Sequence, residues 1–222
     1  MNALVPIPGN GRLQIIRPMK VYIAILVLPR ILAASAPHGK LTAVSSVTVC
    51  VEKAAAVEEE VLDRGEISAG KILALIGLEI DWRNQGRSCP PERDPIILNV
   101  TTNTPRDYFP RAYGTALPFE GIHIRAFYDR IQRIRPDQVV PLLGHVLAHE
   151  IAHILSGTDF HSGTGVMKRR WSQSDLEEMV IRPLPFSNFD ITLLNLGIRE
   201  RHARLVTIRN QNMVSTAGLP TE

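Results

Sequence analysis

Residues 149–167 read HEIAHILSGTDFHSGTGVM and hold three of the chain's seven histidines and one of its five methionines. The first five, His149-Glu150-Ile151-Ala152-His153, set two histidines four positions apart. On a helix that is about one turn, so both imidazoles project from one side and can grip a single divalent cation. Zinc accepts such neutral nitrogens readily, and they leave its charge free to acidify water. Glu150 is turned about 100° from His149, beside the ion rather than under it, where a carboxylate can take a proton from that water. The competing reading is a core helix with satisfied histidines. His145, one turn further upstream on the same face, reads as a histidine that orients a ligand or is merely packed: no glutamate follows it, and a fourth protein ligand would close the site to substrate.

Working outward, Pro136 and Asp137 announce the helix that carries this motif, and Gly157 stops it after Ser156. Pro141 belongs near a first turn, which would move the start to Val140. Upstream, the β-branched run 45–51 (SSVTVCV) reads as a strand. Val57, Val61, Gly65, Ala69, Ile72 and Ile76 then recur at spacings of three and four, one face of a helix ended by Gly77. Gly65 on that stripe predicts a close approach of the helix to a sheet. Leu78, Ile80 and Trp82 alternate with Glu79 and Asp81 as a half-buried strand, which completes a βαβ unit with parallel strands. Residues 83–95 are loop by composition, 96–100 (IILNV) a third strand, and 101–120 a long surface excursion carrying Tyr108, Phe109 and Tyr113. Residues 121–130 alternate Ile122, Ile124, Ala126 and Tyr128 against His123, Arg125, Phe127 and Asp129, a pattern suited to a sheet edge. Ser172 or Ser174 caps a helix bearing Leu176, Met179 and Val180, and a last helix covers about 188–204.

The chain has 222 residues, 45% hydrophobic, which suits one compact domain plus extensions. A net charge of +3 spread without a Lys/Arg block argues against a nucleic-acid partner. Cys50 and Cys89 are the only cysteines; they permit one bridge, and their pairing stays open. Near the N-terminus, Met19-Lys20 precedes VYIAILVLPRILAASA, a basic start, an apolar middle and an A-x-A ending at Ala36. That is the form of a secretory signal peptide, and Pro29 and Arg30 break it too early for a spanning helix. The expected organisation is a leader and signal peptide over 1–36, with translation starting at Met19, a catalytic domain over 37–205 and a flexible tail over 206–222. Export to the periplasm or the extracellular space follows, as a monomer with no stable membrane insertion after cleavage. A membrane-anchored binding domain is the alternative if the run stays uncleaved.

The motif segment resembles the metzincin clan of zinc endopeptidases. The likeness rests on His149-Glu150-x-x-His153, a helix-ending glycine, a further histidine and a methionine soon after. The clan pattern is HExxHxxGxxH followed by a Met-turn beneath the metal, and this chain departs from it. Ser156 stands where the glycine belongs, Gly157 comes one residue late and His161 two residues late. Asp159 occupies the spacing of the third ligand, and some members use aspartate there. The run His161-Ser162-Gly163-Thr164-Gly165-Val166-Met167 is similar to the segment between third ligand and Met-turn in matrixin-like members. It is also similar to exported bacterial metalloproteases with a lengthened gap that ends H-S-x-x-G-[IV]-M before a tryptophan, here Trp171. The resemblance therefore implies one zinc ion held by His149, His153 and His161, with Asp159 as the alternative third ligand, and Met167 as the Met-turn residue.

It further implies a zincin-like α+β fold: a mixed twisted sheet of four to five strands with a βαβ start, an antiparallel edge strand, an active-site helix and C-terminal helices. The function implied is exported zinc-dependent endopeptidase, a hydrolase acting on a polypeptide with Glu150 as general base and water in the open position. The strand 121–128 would border the cleft, and a substrate could add to it. Two alternatives stay open. A gluzincin arrangement would draw its third ligand from Glu177 or Glu178 downstream, and a non-catalytic protein would use a metal only to pin the 157–167 loop.

Overall fold

A computed structural model of the protein describes residues 39–41, 45–54, 56–84 and 87–217, with side chains described as far as Thr207. The leader and signal-peptide reading of residues 1–36 falls outside the described residues. The β-branched run near the start forms strand β1 (Ser45–Lys53), which leads into helix α1 (Glu59–Ala74) and strand β2 (Leu78–Arg83). β1 and β2 pair in parallel, the βαβ unit expected from the sequence. α1 turns Leu62, Gly65, Ala69, Ile72 and Leu73 into the core, while Val57 and Ile76 are buried just beyond its two ends. Gly77 takes a φ of 88°, a conformation that stops the helix and suits glycine.

Three more strands follow: β3 (Ile96–Thr101), β4 (Gly114–Ala116) and β5 (His123–Phe127). The sheet runs in the order β2-β1-β3-β5-β4. β3 is parallel to β1 and β5 is parallel to β3, while β4 runs antiparallel to β5 at the edge. Here the structure corrects the sequence reading. Residues 121–128 do not form the edge; β5 is an interior strand. The antiparallel edge is β4, three residues inside the stretch 101–120 that reads as an excursion. Three residues are too few to show a period of two. The polar face of β5 reflects an open sheet face instead, where His123 and Arg125 are exposed while Ile124 and Ala126 are buried.

A short helix α2 (Tyr128–Ile131) leads to helix α3 (Pro136–Ser156), which crosses the core. α3 begins at Pro136, four residues before Val140, and Pro141 is accommodated inside it. The helix is long and apolar enough to cross a membrane, but 78% of that window is buried within the protein, so it is a core helix. Leu142, Leu143, Leu147 and Ile151 have no exposed surface. Burying side chains of this size contributes about 1.5–3 kcal/mol each. α1 and α3 pack together through glycines. A methyl on Gly65 would meet the Leu143 side chain at 2.6 Å, and one on Gly144 would fall on Ser68 and 3.2 Å from the Ala69 nitrogen. The close approach expected at Gly65 is therefore to a helix, not to a sheet.

Helix α4 (Gln173–Ile181) is capped by Ser172, whose side chain accepts from the Asp175 N–H while Asp175 accepts from the Ser172 N–H. Leu176 and Met179 are buried as the sequence predicts, whereas Val180 is exposed. Helix α5 (Asn188–Ala217) continues past residue 204. Arg201, near its middle, is 8% exposed and donates to the carbonyls of Gly121 and Asp94 while pairing with the Asp94 carboxylate. That set of bonds ties α5 to the loops beside β3 and β5. Cys50 and Cys89 form a disulfide. Because Val49 and Val51 face the core, Cys50 points to the opposite sheet face, and the bridge pins the chain at Cys89 there.

Candidate metal centre

The last two turns of α3 and the loop after them build the site. His149 and His153 are buried on one side of α3, and their Nε2 atoms lie 3.0 Å apart. The Nδ1 of His149 donates to the Val166 carbonyl at 2.8 Å, and the Nδ1 of His153 donates to the Thr158 carbonyl at 2.8 Å. Each ring's proton is thus held on Nδ1, and two bare Nε2 lone pairs face each other. Neither can donate to the other. Such a pair calls for an electrophile between them, and carbonyl partners that orient the far nitrogen are a usual feature of metal-binding histidines.

Gly157 makes the turn that brings the third ring in. It closes α3 with a φ of 65°, and its N–H bonds to the carbonyls of His153 and Ile154. The chain then returns over the helix end, and one ligand atom from each of His149, His153 and His161 falls within 4.8 Å of the others. Asp159 is exposed and outside this group; the His161 ring is hydrogen-bonded to its backbone. Glu177 and Glu178 lie on α4 and engage Gln173 and Arg182. Among the described residues, these three imidazoles are the only such group.

Burial keeps the imidazoles neutral. It drives His149 down to about 3, assisted by neighbouring His153 and opposed by the bond to Val166. His153 falls to about 4, chiefly through burial and partly offset by the Thr158 carbonyl and by the charges of Asp159 and Asp190. Half-buried His161 is lowered by burial and then by Arg169. Neutral nitrogens are the form that binds a metal, so the donor set fits one divalent cation such as zinc.

Glu150 is 7% exposed, and burial pushes its carboxyl up to about 8. Its neighbour is the edge strand: a methyl on Gly114 would stand 2.7 Å from Glu150 Oε1. Sequence reasoning missed Gly114, which carries no motif. His145 is spoken for at both nitrogens, donating from Nδ1 to the Pro141 carbonyl at 2.7 Å and accepting the Leu184 N–H at Nε2 at 3.0 Å. It is a packed core histidine, as the sequence suggests, and burial lowers it to about 4.

The loop beyond His161 is closed on itself and anchored beneath α3. The Ser162 N–H bonds to the Met167 carbonyl at 2.9 Å, and the Val166 N–H bonds to the Pro185 carbonyl at 3.0 Å. Met167 and Val166 are buried in the core. Trp171 stands edge-on to His149 with ring centres 5.5 Å apart, and its Nε1 donates to the Gly165 carbonyl at 3.2 Å. A further group went unread in the sequence. Asp190 is 3% exposed and accepts from the Ser187 N–H, the Ser187 hydroxyl and the hydroxyl of Ser162, the residue next to His161. The spacing Ser187-x-x-Asp190 is a helix-capping pattern and could have flagged it.

No protein-family model matches the chain, and no curated protein matches it in sequence. Among solved structures, it is similar to an archaemetzincin from Methanopyrus kandleri at 15% identity and a TM-score of 0.45, covering 76% of this chain and 99% of that one. It is also similar to an archaemetzincin from Archaeoglobus fulgidus, complexed with malonate, at 17% identity and a TM-score of 0.45, covering 67% of this chain and 99% of that one.

Proposed function

We propose that the protein is a metal-dependent hydrolase, and within that class an exported zinc endopeptidase of metzincin type with a lengthened gap before its third ligand. The observation that carries this reading is the convergence of the His149, His153 and His161 ligand atoms next to a buried glutamate on the same helix. Zinc held there would polarise a scissile carbonyl and make water acidic enough to attack it near neutral pH.

The chain's own groups do the rest. His149, His153 and His161 would hold the ion, their rings oriented by the carbonyls of Val166 and Thr158 and by the Asp159 backbone. Glu150 takes the proton from the attacking water and passes it to the leaving amine. Its raised affinity for protons suits the second half of that exchange, and a cation alongside favours the carboxylate needed for the first. Gly114 leaves the space in which the carboxyl sits. The β4 strand ends the sheet beside Glu150, so an extended polypeptide could pair with its outer edge and bring a peptide bond to the metal. Export is supported by the A-x-A leader and by the Cys50–Cys89 bridge, since disulfides persist in oxidising compartments.

The test is Glu150→Gln. The variant should keep its zinc and lose hydrolysis of an unfolded polypeptide such as casein by at least about 10²-fold. Wild-type protein that binds zinc and leaves casein intact would favour the structural-metal reading instead.

A further inference from the structure

Asp190 does two things at once. With Ser187 it forms the reciprocal cap of α5: the Ser187 N–H donates to Asp190 Oδ2 at 2.8 Å, and the Asp190 N–H donates to the Ser187 hydroxyl at 3.1 Å. A helix cap needs only one of the carboxylate oxygens. The other, Oδ1, reaches out of the helix and accepts the hydroxyl of Ser162, 28 residues away in sequence. Ser162 follows His161 directly, and its own N–H closes the loop onto the Met167 carbonyl. The first turn of α5 is thereby fastened to the segment that presents the third imidazole.

Asp190 is also a charge. It is 3% exposed, no Lys or Arg lies within salt-bridge distance of it among the described residues, and its bond to Ser162 sets it against the residue next to His161. Three neutral imidazoles do nothing to offset a divalent cation. A buried anion nearby does, and the interaction is stronger there than in water.

We infer that Asp190 is a positioning residue of the metal centre, holding the His161 loop through Ser162 and supplying negative charge that raises affinity for a divalent cation. This rests on the reading of His149, His153 and His161 as metal ligands. A helix cap by itself would stabilise α5 and leave metal affinity alone.

Three variants of the full chain separate these roles: Asp190→Asn, Ser162→Ala and Ser187→Ala. Zinc affinity is measured by competition with a chromophoric chelator, at a temperature where circular dichroism shows each protein folded. Asp190→Asn keeps an acceptor oxygen and loses the charge; zinc binding should weaken about 10- to 100-fold, the range seen for groups that orient metal ligands. Ser162→Ala should weaken it in the same direction by a smaller factor. Ser187→Ala removes the cap hydroxyl and its 3.3 Å contact with the Ser162 hydroxyl but keeps the Asp190 carboxylate and its bond to Ser162, so it should lower the melting temperature and weaken zinc binding by less than Asp190→Asn does. Unchanged zinc affinity in both Asp190→Asn and Ser162→Ala overturns the inference while the metal centre stands. So does a loss in Ser187→Ala equal to that in Asp190→Asn. A wild-type chain that binds no zinc overturns the metal reading itself and takes this inference with it.

Discussion

Gly114 of the edge strand lies directly against Glu150 of the core helix, so closely that a methyl at 114 would stand 2.7 Å from Oε1 and 3.0 Å from Cγ. The same methyl would come within 3.0 Å of Val146 Cγ1, one turn earlier on α3. Both neighbours are buried, and the nearest atom such a methyl would meet is the carboxyl oxygen itself. The strand therefore fixes where the proposed base sits, and it does so by lacking a side chain.

Gly114→Ala should accordingly push Glu150 aside while leaving the three histidines in place. Displacements of about 1 Å at a reacting group cost on the order of 10²-fold in rate. The expected outcome is a fall in kcat of about that size with full zinc content, read by casein hydrolysis together with metal analysis. Unaltered kcat would mean that the carboxyl's position does not matter to turnover.

Glu66 on α1 is 5% exposed; its Oε2 accepts from Asn84 Nδ2 at 3.2 Å, while Oε1 and the Asn84 Oδ1 have no partner among the described residues. Burial raises its pKa from 4.5 to about 7, the Asn84 bond opposing and Asp63 adding to the rise. Because the folded form holds the proton more tightly, Glu66 favours folding below pH 4.5, and that contribution is lost as pH rises through about 7. Glu66→Gln is neutral throughout and can donate to Asn84 Oδ1. It should match wild type near pH 5 and exceed it at pH 8, by on the order of 1 kcal/mol after allowance for solvent screening. Urea denaturation midpoints at the two pH values measure this; a gap that is equal at both would show that the carboxyl does not titrate on folding.

The parts of the fold that were legible in the sequence are those with a repeating period. Leu78, Ile80 and Trp82 marked β2 because they pack against the core, Leu78 fully and Ile80 and Trp82 in part, and the three- and four-residue spacing from Val57 to Ile76 marked α1 because one side of that helix is buried. β4 left no such trace: three small residues, each half-buried, have no contrast between faces. Its position at the sheet edge is set by pairing with β5, which is a tertiary property. The continuation of α5 beyond residue 204 was likewise hidden, since the sequence there carries no apolar stripe to read.

The site divides the same way. His149, Glu150 and His153 lie on one helix, so their mutual placement follows from helical geometry and could be read directly. Joining His161 to them requires knowing how the chain turns at Gly157, and spacing by itself left Asp159 as a rival. The turn leaves Asp159 exposed and brings the His161 ring inward. Gly114 and Asp190 reach the site from elements 36 and 40 residues away from Glu150 in sequence, a distance at which no local pattern operates.

Zinc content of the purified full-length chain and of His161→Ala, determined by mass spectrometry of the metal after dialysis, bears most directly on all of this. One zinc per chain is expected in the wild type, with the same content in Asp159→Ala and in Glu177→Ala/Glu178→Ala, and loss of the ion in His161→Ala. A wild-type protein free of zinc, or a His161→Ala variant that holds it as firmly as the wild type, would contradict a metal centre built from these three histidines.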